Sequence, residues 1–249
     1  MPKIHLLTRK EEINSAKLTE GYKVAVVLDI LLATTTITSV LFDGAREVIP
    51  VLNPAEARHI NKTNPKGDYL LAGEDRAFPL KGFLYPSPIL LRPFVKGKSI
   101  LLSTTNGTVA LRNAAVARKV FVASLLNNQA VSDAVKKIKG AETIVVICAG
   151  NSGEFCLEDF YGAGDFIHCL MKDNEQIYSL SDAAKTALFF YQGTSKMVDV
   201  LSASSVGQFL QKVSSFDEVL FASTKRNLPI VPILEDQKVV NQLSNLQKE

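Results

Sequence analysis

Short apolar, β-branched runs recur along the chain, and most end abruptly in small polar or acidic residues. VAVVLD (24–29), EVIPV (47–51), YLLAG (69–73), SILLST (99–104), KVFVA (119–123), TIVVICAG (143–150) and EVLFA (218–222) read as strands. Helix-like stretches such as 109–117 and 128–139 lie between most of them. Strands that are apolar throughout are buried on both faces, and their alternation with helices calls for a mostly parallel sheet. The expected fold is therefore α/β, with three αβα layers. Ligands of such sheets bind beyond the carboxyl ends of the strands, so function is to be sought in the loops that follow the runs.

A weak internal repeat fits this layout. LLATTTITSVLFDGAREVIPVLNPAEA and LLSTTNGTVALRNAAVARKVFVASLLNNQA share a strand, a Thr pair, a helix, Ala-Arg-x-Val and a Leu-Asn turn. Each copy then reaches a strand closing in Ala-Gly, at Ala72-Gly73 and Ala149-Gly150. Duplication of a β-α-β-α-β unit and chance similarity between small α/β units both account for this. The chain reads as a single domain over 1–249, with half-repeats at about 23–97 and 98–170 and a C-terminal part over 171–249. Under duplication, the two threonine loops would face each other across one cleft.

Composition removes several classes. With 47% hydrophobic and 21% charged residues, the chain is globular. A net charge of +3 with no basic run argues against nucleic acid. No apolar stretch approaches the ~20 residues of a membrane span. The N-terminal MPKIHLLTRKEE is too charged for a secretory signal. Cys148, Cys156 and Cys169 show no CxxC spacing, which suits reduced thiols in the cytoplasm. His5, His59 and His168 are far apart and offer no zinc pattern. A homo-oligomer remains open.

Four polar loops carry the candidate chemistry. In the first, Asp29 closes a buried strand ahead of Thr34 and Thr35. Such a carboxylate needs a cation, a metal or hydrogen bonds, so it is either a capping group or a metal or base carboxylate. In the second, Glu74 and Asp75 suit a hard cation such as Mg²⁺, or else a solvated turn. In the third, Ser103, Thr104, Thr105, Asn106, Gly107 and Thr108 place more small polar groups at a helix start than capping requires. Hydroxyls, N–H groups and the helix dipole together suit an anion. In the fourth, Gly150 opens a small-residue loop that leads to Glu158 and Asp159 at the start of an apolar helix. That acidic pair either stabilises the helix N-terminus or completes a metal site with Glu74.

Other phosphate chemistries fail on single positions. An aspartyl nucleophile wants a second Asp two residues after Asp29, where Leu31 stands. A cysteine phosphatase wants Arg six residues after Cys148, where Glu154 stands. Gly97-Lys98-Ser99 echoes a P-loop, but Arg92 occupies the first glycine position and a strand follows. No GxGxxG follows a strand, which disfavours a Rossmann-like nucleotide binder.

Taken in order, VVLDILLATTTI, GED…GFLYPSP, STTNGTVAL, ASLLNNQAV and VICAGNSGEFCLEDFYGAG resemble the 2-phosphosulfolactate phosphatase family of the ComB type, over about residues 20 to 235. The resemblance implies Mg²⁺-dependent hydrolysis of 2-phospho-3-sulfolactate, or a related small phospho-acid, to sulfolactate and phosphate. In some organisms this step leads to coenzyme M. It implies Asp29, Glu74 and Asp159 as catalytic residues and Asp29, Glu74, Glu158 and Asp159 as the metal set. Substrate contacts are then expected at Thr34, Thr35, Ser87, Ser103, Thr104, Thr105, Asn106, Gly107, Thr108 and Gly150. The chain departs from the family pattern at Leu32, where Arg is usual, at Pro86, where Asn is usual, and at Val206, where His is usual. Arg is the best bidentate partner of an anion and Leu offers none of that. The alternative is accordingly a divergent member that binds a small anion with little or no catalysis.

Overall fold

The computed structural model describes residues 1–172, 178–194, 196–213, 216–225 and 227–242. In chain order the strands are β1 (Lys3–Leu7), β2 (Lys23–Leu28), β3 (Glu47–Val51), β4 (Tyr69–Asp75), β5 (Phe78–Pro79) and β6 (Ser99–Ser103). They continue with β7 (Lys119–Ala123), β8 (Thr143–Cys148), β9 (Ser179–Leu180), β10 (Pro232–Glu235) and β11 (Lys238–Asn241). They form an 11-stranded sheet in the order β5-β4-β6-β3-β11-β10-β7-β2-β8-β1-β9. The mostly parallel α/β arrangement read from the apolar runs is the one observed.

The order shows how the two halves interlock. β2 lies parallel between β7 and β8, while β6 lies parallel between β3 and β4. Each half thus inserts its first strand between the second and third strands of the other. The β10–β11 hairpin bridges the two sets through antiparallel pairs, Ile233 with Phe121 and Val239 with Val48.

Successive residues of β2 divide between the two faces, as strand geometry requires. Val24, Val26 and Leu28 join one core with the helices Asn128–Lys136 and Leu157–Met171. Ala25 and Val27 join the other with the helices Ala33–Phe42 and Gly107–Ala114. Burial on both faces is why the run shows no polar alternation.

One expected strand is helical instead. EVLFA (218–222) lies in the helix Phe216–Ala222, with Glu218, Val219, Phe221 and Ala222 buried. That spacing is the face of a helix, and a five-residue apolar run does not separate the two states by periodicity. Gly97-Lys98-Ser99 leads into β6, and Lys98 Nζ pairs with Asp68 at 2.6 Å, so no phosphate loop forms there. Among the described residues, no helix is long and apolar enough to cross a membrane.

Candidate active site

All four polar loops contribute to one cleft of about 360 Å³. Its lining includes Asp29, Glu74, Thr104, Thr105, Asn106, Gly150, Glu158 and Asp159. Residues distant in sequence meet here because each loop leaves the end of a neighbouring or interlocked strand.

Asp29 follows β2 and is held by its own loop. Its N–H donates to Thr34 Oγ1 at 2.9 Å, and that hydroxyl donates back to the Asp29 carbonyl at 2.9 Å. Oδ1 accepts a long bond from the Ala33 N–H, at 3.3 Å. Oδ2 lies so close to the Gly107 backbone that a Cβ on residue 107 would sit 2.5 Å from it. Only glycine lets the second threonine loop come this near. Burial, followed by the negative charges of Glu74 and Glu158, pushes the Asp29 carboxyl up to about 7.

Asp159 and Glu158 start the helix Leu157–Met171, yet neither is a solvated helix-end charge, since both are 2% exposed. Asp159 Oδ1 accepts from the Ile30 N–H at 2.8 Å and Oδ2 from the Gly150 N–H at 3.1 Å. It therefore pins the loop after β2 to the loop after β8. Burial and the charges of Asp29 and Glu158 raise its carboxyl well above the carboxylate range. Burial likewise raises Glu158, whose buried Oε2 has no hydrogen-bond partner. Burial, then the Asp159 charge, lifts the Cys148 and Cys156 thiols too. Neither has thiolate character for nucleophilic attack.

Glu74 is tied to the third loop. Its Oε1 accepts from the Thr105 N–H at 2.7 Å, and Oε2 accepts from the Ala77 N–H at 2.5 Å and the Thr105 hydroxyl at 3.2 Å. Thr105 Oγ1 also accepts from the Arg76 N–H, at 2.8 Å. These bonds hold the two-residue β4–β5 turn, in which Arg76 and Ala77 have φ of 49° and 64°. That conformation is one that Asn and Gly normally supply. Asn106 Oδ1 accepts from Lys10 Nζ at 2.8 Å and from the Ser152 N–H at 3.1 Å, so the amide joins two loops and does not cap its helix.

Several expected contacts lie behind the lining. Thr34 and Thr35 spend their hydroxyls on the carbonyls of Asp29 and Ile30. Thr108 donates to the Thr104 carbonyl, and Ser103 is buried in β6. Ser87 donates to Glu218 and caps the short helix Pro88–Leu91. These residues shape the loops, and Gly107 does so by its lack of a side chain. The sequence reading missed Arg76, Asn151, Ser152, Tyr85 and Phe209 in the lining, and Lys10 behind Asn106. Leu32, Pro86 and Val206 all line the cleft.

The sequence pattern of the 2-phosphosulpholactate phosphatase family matches residues 7–237. The chain belongs to the 2-phosphosulfolactate phosphatase family. A protein of Symbiobacterium thermophilum named probable 2-phosphosulfolactate phosphatase is 36% identical over 220 residues, covering 88% of this chain and 94% of its own. Proteins of the same name from Clostridium beijerinckii and Clostridium perfringens are 32% and 36% identical, covering 95% and 92% of this chain and 98% and 92% of their own.

The site of this family member suits a hard divalent cation held by few protein atoms. Among the described residues, no three His, Cys, Asp or Glu side chains form a ready cage. Asp159 and Glu74 already accept bonds on both oxygens. Glu158 Oε2 is buried without a partner, and Asp29 is raised by burial and then by neighbouring negative charge. A cation at those two carboxylates would relieve both features. One or two carboxylates with waters is the ligation that Mg²⁺ accepts.

Proposed function

We propose that the chain is a Mg²⁺-dependent phosphatase acting on 2-phospho-3-sulfolactate or a related small phospho-acid, in the cytoplasm. The observation that carries this reading is the gathering of Asp29, Glu74, Glu158 and Asp159 on one cleft, with the Asp29 carboxyl pushed up to about 7 by burial first and by the charges of Glu74 and Glu158 after it. A cluster of this kind is unfavourable to folding and finds its use in chemistry.

Asp29 and Glu158 would hold the cation, exchanging a proton for it. When bound, Mg²⁺ supplies neutralisation of phosphoryl charge and acidification of water. Thr104, Asn106, Asn151 and Ser152 offer neutral donors to phosphoryl oxygens, and Arg76 offers a charged partner to a carboxylate. Asp159 keeps the loops after β2 and β8 in register around these groups. In the overall reaction a water oxygen bonds to phosphorus as the ester P–O bond breaks. The water loses a proton and the departing hydroxy-acid oxygen gains one.

The test is phosphate release from 2-phospho-3-sulfolactate and 2-phospholactate, with Mg²⁺ and with EDTA. Release that needs Mg²⁺ and disappears in Asp29→Asn is expected. Absence of release from either ester overturns the reading. If inorganic phosphate still binds in that case, the divergent anion-binding alternative replaces it.

A further inference from the structure

The cleft lining is of two kinds. One carries the carboxylates, hydroxyls and amides described above. The other is built from Leu31, Leu32, Pro86, Val206, Phe209 and Leu210. Leu31, Leu32 and Leu210 are buried members of one apolar cluster, and Val206 packs against it. The rim of this wall is extended by Phe209, whose ring meets Phe78 edge-on at 5.9 Å. Among the described lining residues, Arg76 alone is positively charged, against Asp29, Glu74, Glu158 and Asp159.

We infer that the preferred substrate is the phosphate monoester of a small 2-hydroxy acid whose remaining substituent is a hydrocarbon group. This rests on the phosphatase reading and specifies its substrate. A phosphate is served by the polar wall and the cation, and one carboxylate is served by Arg76. A third anionic group, such as a sulfonate, would face Leu32 and Val206. It would lose its hydration there without gaining a donor. A branched alkyl group of similar size would instead be taken out of water by the same surface. Hydrolysis consumes one water and releases the free hydroxy acid and inorganic phosphate, whichever substituent is present.

The experiment measures kcat/KM in Mg²⁺ for the phosphate esters of lactate, 2-hydroxy-3-methylbutanoate and sulfolactate. The 2-hydroxy-3-methylbutanoate ester is expected to exceed the sulfolactate ester by about ten-fold or more, the order of discrimination an apolar pocket gives. Val206→Arg and Leu32→Arg should shift that ratio toward the sulfolactate ester. Val206 is only partly buried, so its variant folds even where the Leu32 variant does not. A wild-type preference for the sulfolactate ester, or a ratio that Val206→Arg leaves unmoved, overturns the inference. If no ester is hydrolysed, the phosphatase reading fails on its own. Calorimetric binding of the free hydroxy acids beside inorganic phosphate then decides: 2-hydroxy-3-methylbutanoate binding above sulfolactate supports the apolar wall. The reverse order, or no binding of either acid, overturns it.

Discussion

The Asp29 carboxylate stands in the space that a side chain on Gly107 would need, at the junction of the two threonine loops. A Cβ on residue 107 would collide with Ala33 Cβ and lie 2.5 Å from Asp29 Oδ2. Both neighbours are buried, Asp29 in a short bonded loop and Ala33 in the first turn of the helix Ala33–Phe42, so neither yields cheaply. Gly107→Ala should displace Asp29 by part of an ångström while leaving the sheet intact. A full ångström of misplacement costs about 100-fold, so kcat should fall by about 10-fold or more. Circular dichroism and phosphate release on the same sample check it. Wild-type kcat in a folded Gly107→Ala protein would show that Asp29 need not be where it is.

This close approach also shows what the sequence could and could not disclose. Strands β2, β3, β6, β7 and β8 were legible because double-sided burial makes each an uninterrupted apolar run, and β4 because its half-buried YLLAG is apolar too. The polar loops were legible because a buried strand has no reason to end in Asp or Ser-Thr-Thr-Asn-Gly unless something is built there. The two hairpin turns were not. Arg76-Ala77 and Asp236-Gln237 take left-handed φ without the Asn or Gly that would announce such a turn. The roles of Thr34 and Thr105 were equally hidden, because a hydroxyl reads the same whether it faces a ligand, a carbonyl or Glu74. Lys10 enters through a single tertiary bond to Asn106, which no local pattern encodes.

Stability should depend on pH through Asp29. Its carboxyl is raised from the ordinary 3.8 to about 7, so the folded state holds a proton that the unfolded state has lost. The contribution is full below about pH 4 and is lost as pH rises to about 7, where it levels off. Asp159, raised in the same direction, adds to the slope. Urea unfolding in EDTA should show the midpoint falling between pH 5 and pH 8, and Asp29→Asn should flatten that fall and be the more stable protein at pH 8. Mg²⁺ should restore stability to the wild type at pH 8. A wild-type midpoint that is constant or rising over this range refutes the assignment.

Thr105 should act through Glu74. Thr105→Val keeps the shape and the Thr105 N–H bond to Oε1 but deletes the hydroxyl shared by Glu74 and the Arg76 N–H. Loss of such a supporting hydrogen bond costs about 1 kcal/mol of stability. Glu74 places its negative charge near Asp29, which would hold the cation, and loosening such an outer partner is worth about 10-fold or more in metal affinity. Mg²⁺ titration of activity should therefore shift to higher concentration, while inorganic phosphate binding in EDTA stays at the wild-type value. A weakened phosphate affinity without metal would instead make the Thr105 hydroxyl a direct anion contact.

Away from the cleft, Asp165 is fully buried and its charge is balanced by Lys225. Lys225 Nζ donates to Oδ1 at 2.8 Å, and Asn128 Nδ2 donates to Oδ2 at 2.9 Å. The Asp165 carboxylate beside it raises the Lys225 ammonium above its ordinary value, against a lowering by burial. Lys225→Met keeps the aliphatic stem but leaves the carboxylate with its Asn128 amide and no cation. Breaking a buried pair from one side costs about 3–5 kcal/mol, and the partly exposed lysine and the surviving amide bond reduce this to about 2 kcal/mol. Asp165→Asn with Lys225→Met removes both charges and should recover most of the loss, because no uncompensated ion remains. Denaturant midpoints of the single and double variants measure the coupling. A single variant as stable as the double at pH 8 would mean that this ion pair contributes nothing to holding the helix Leu157–Met171 to the C-terminal segment.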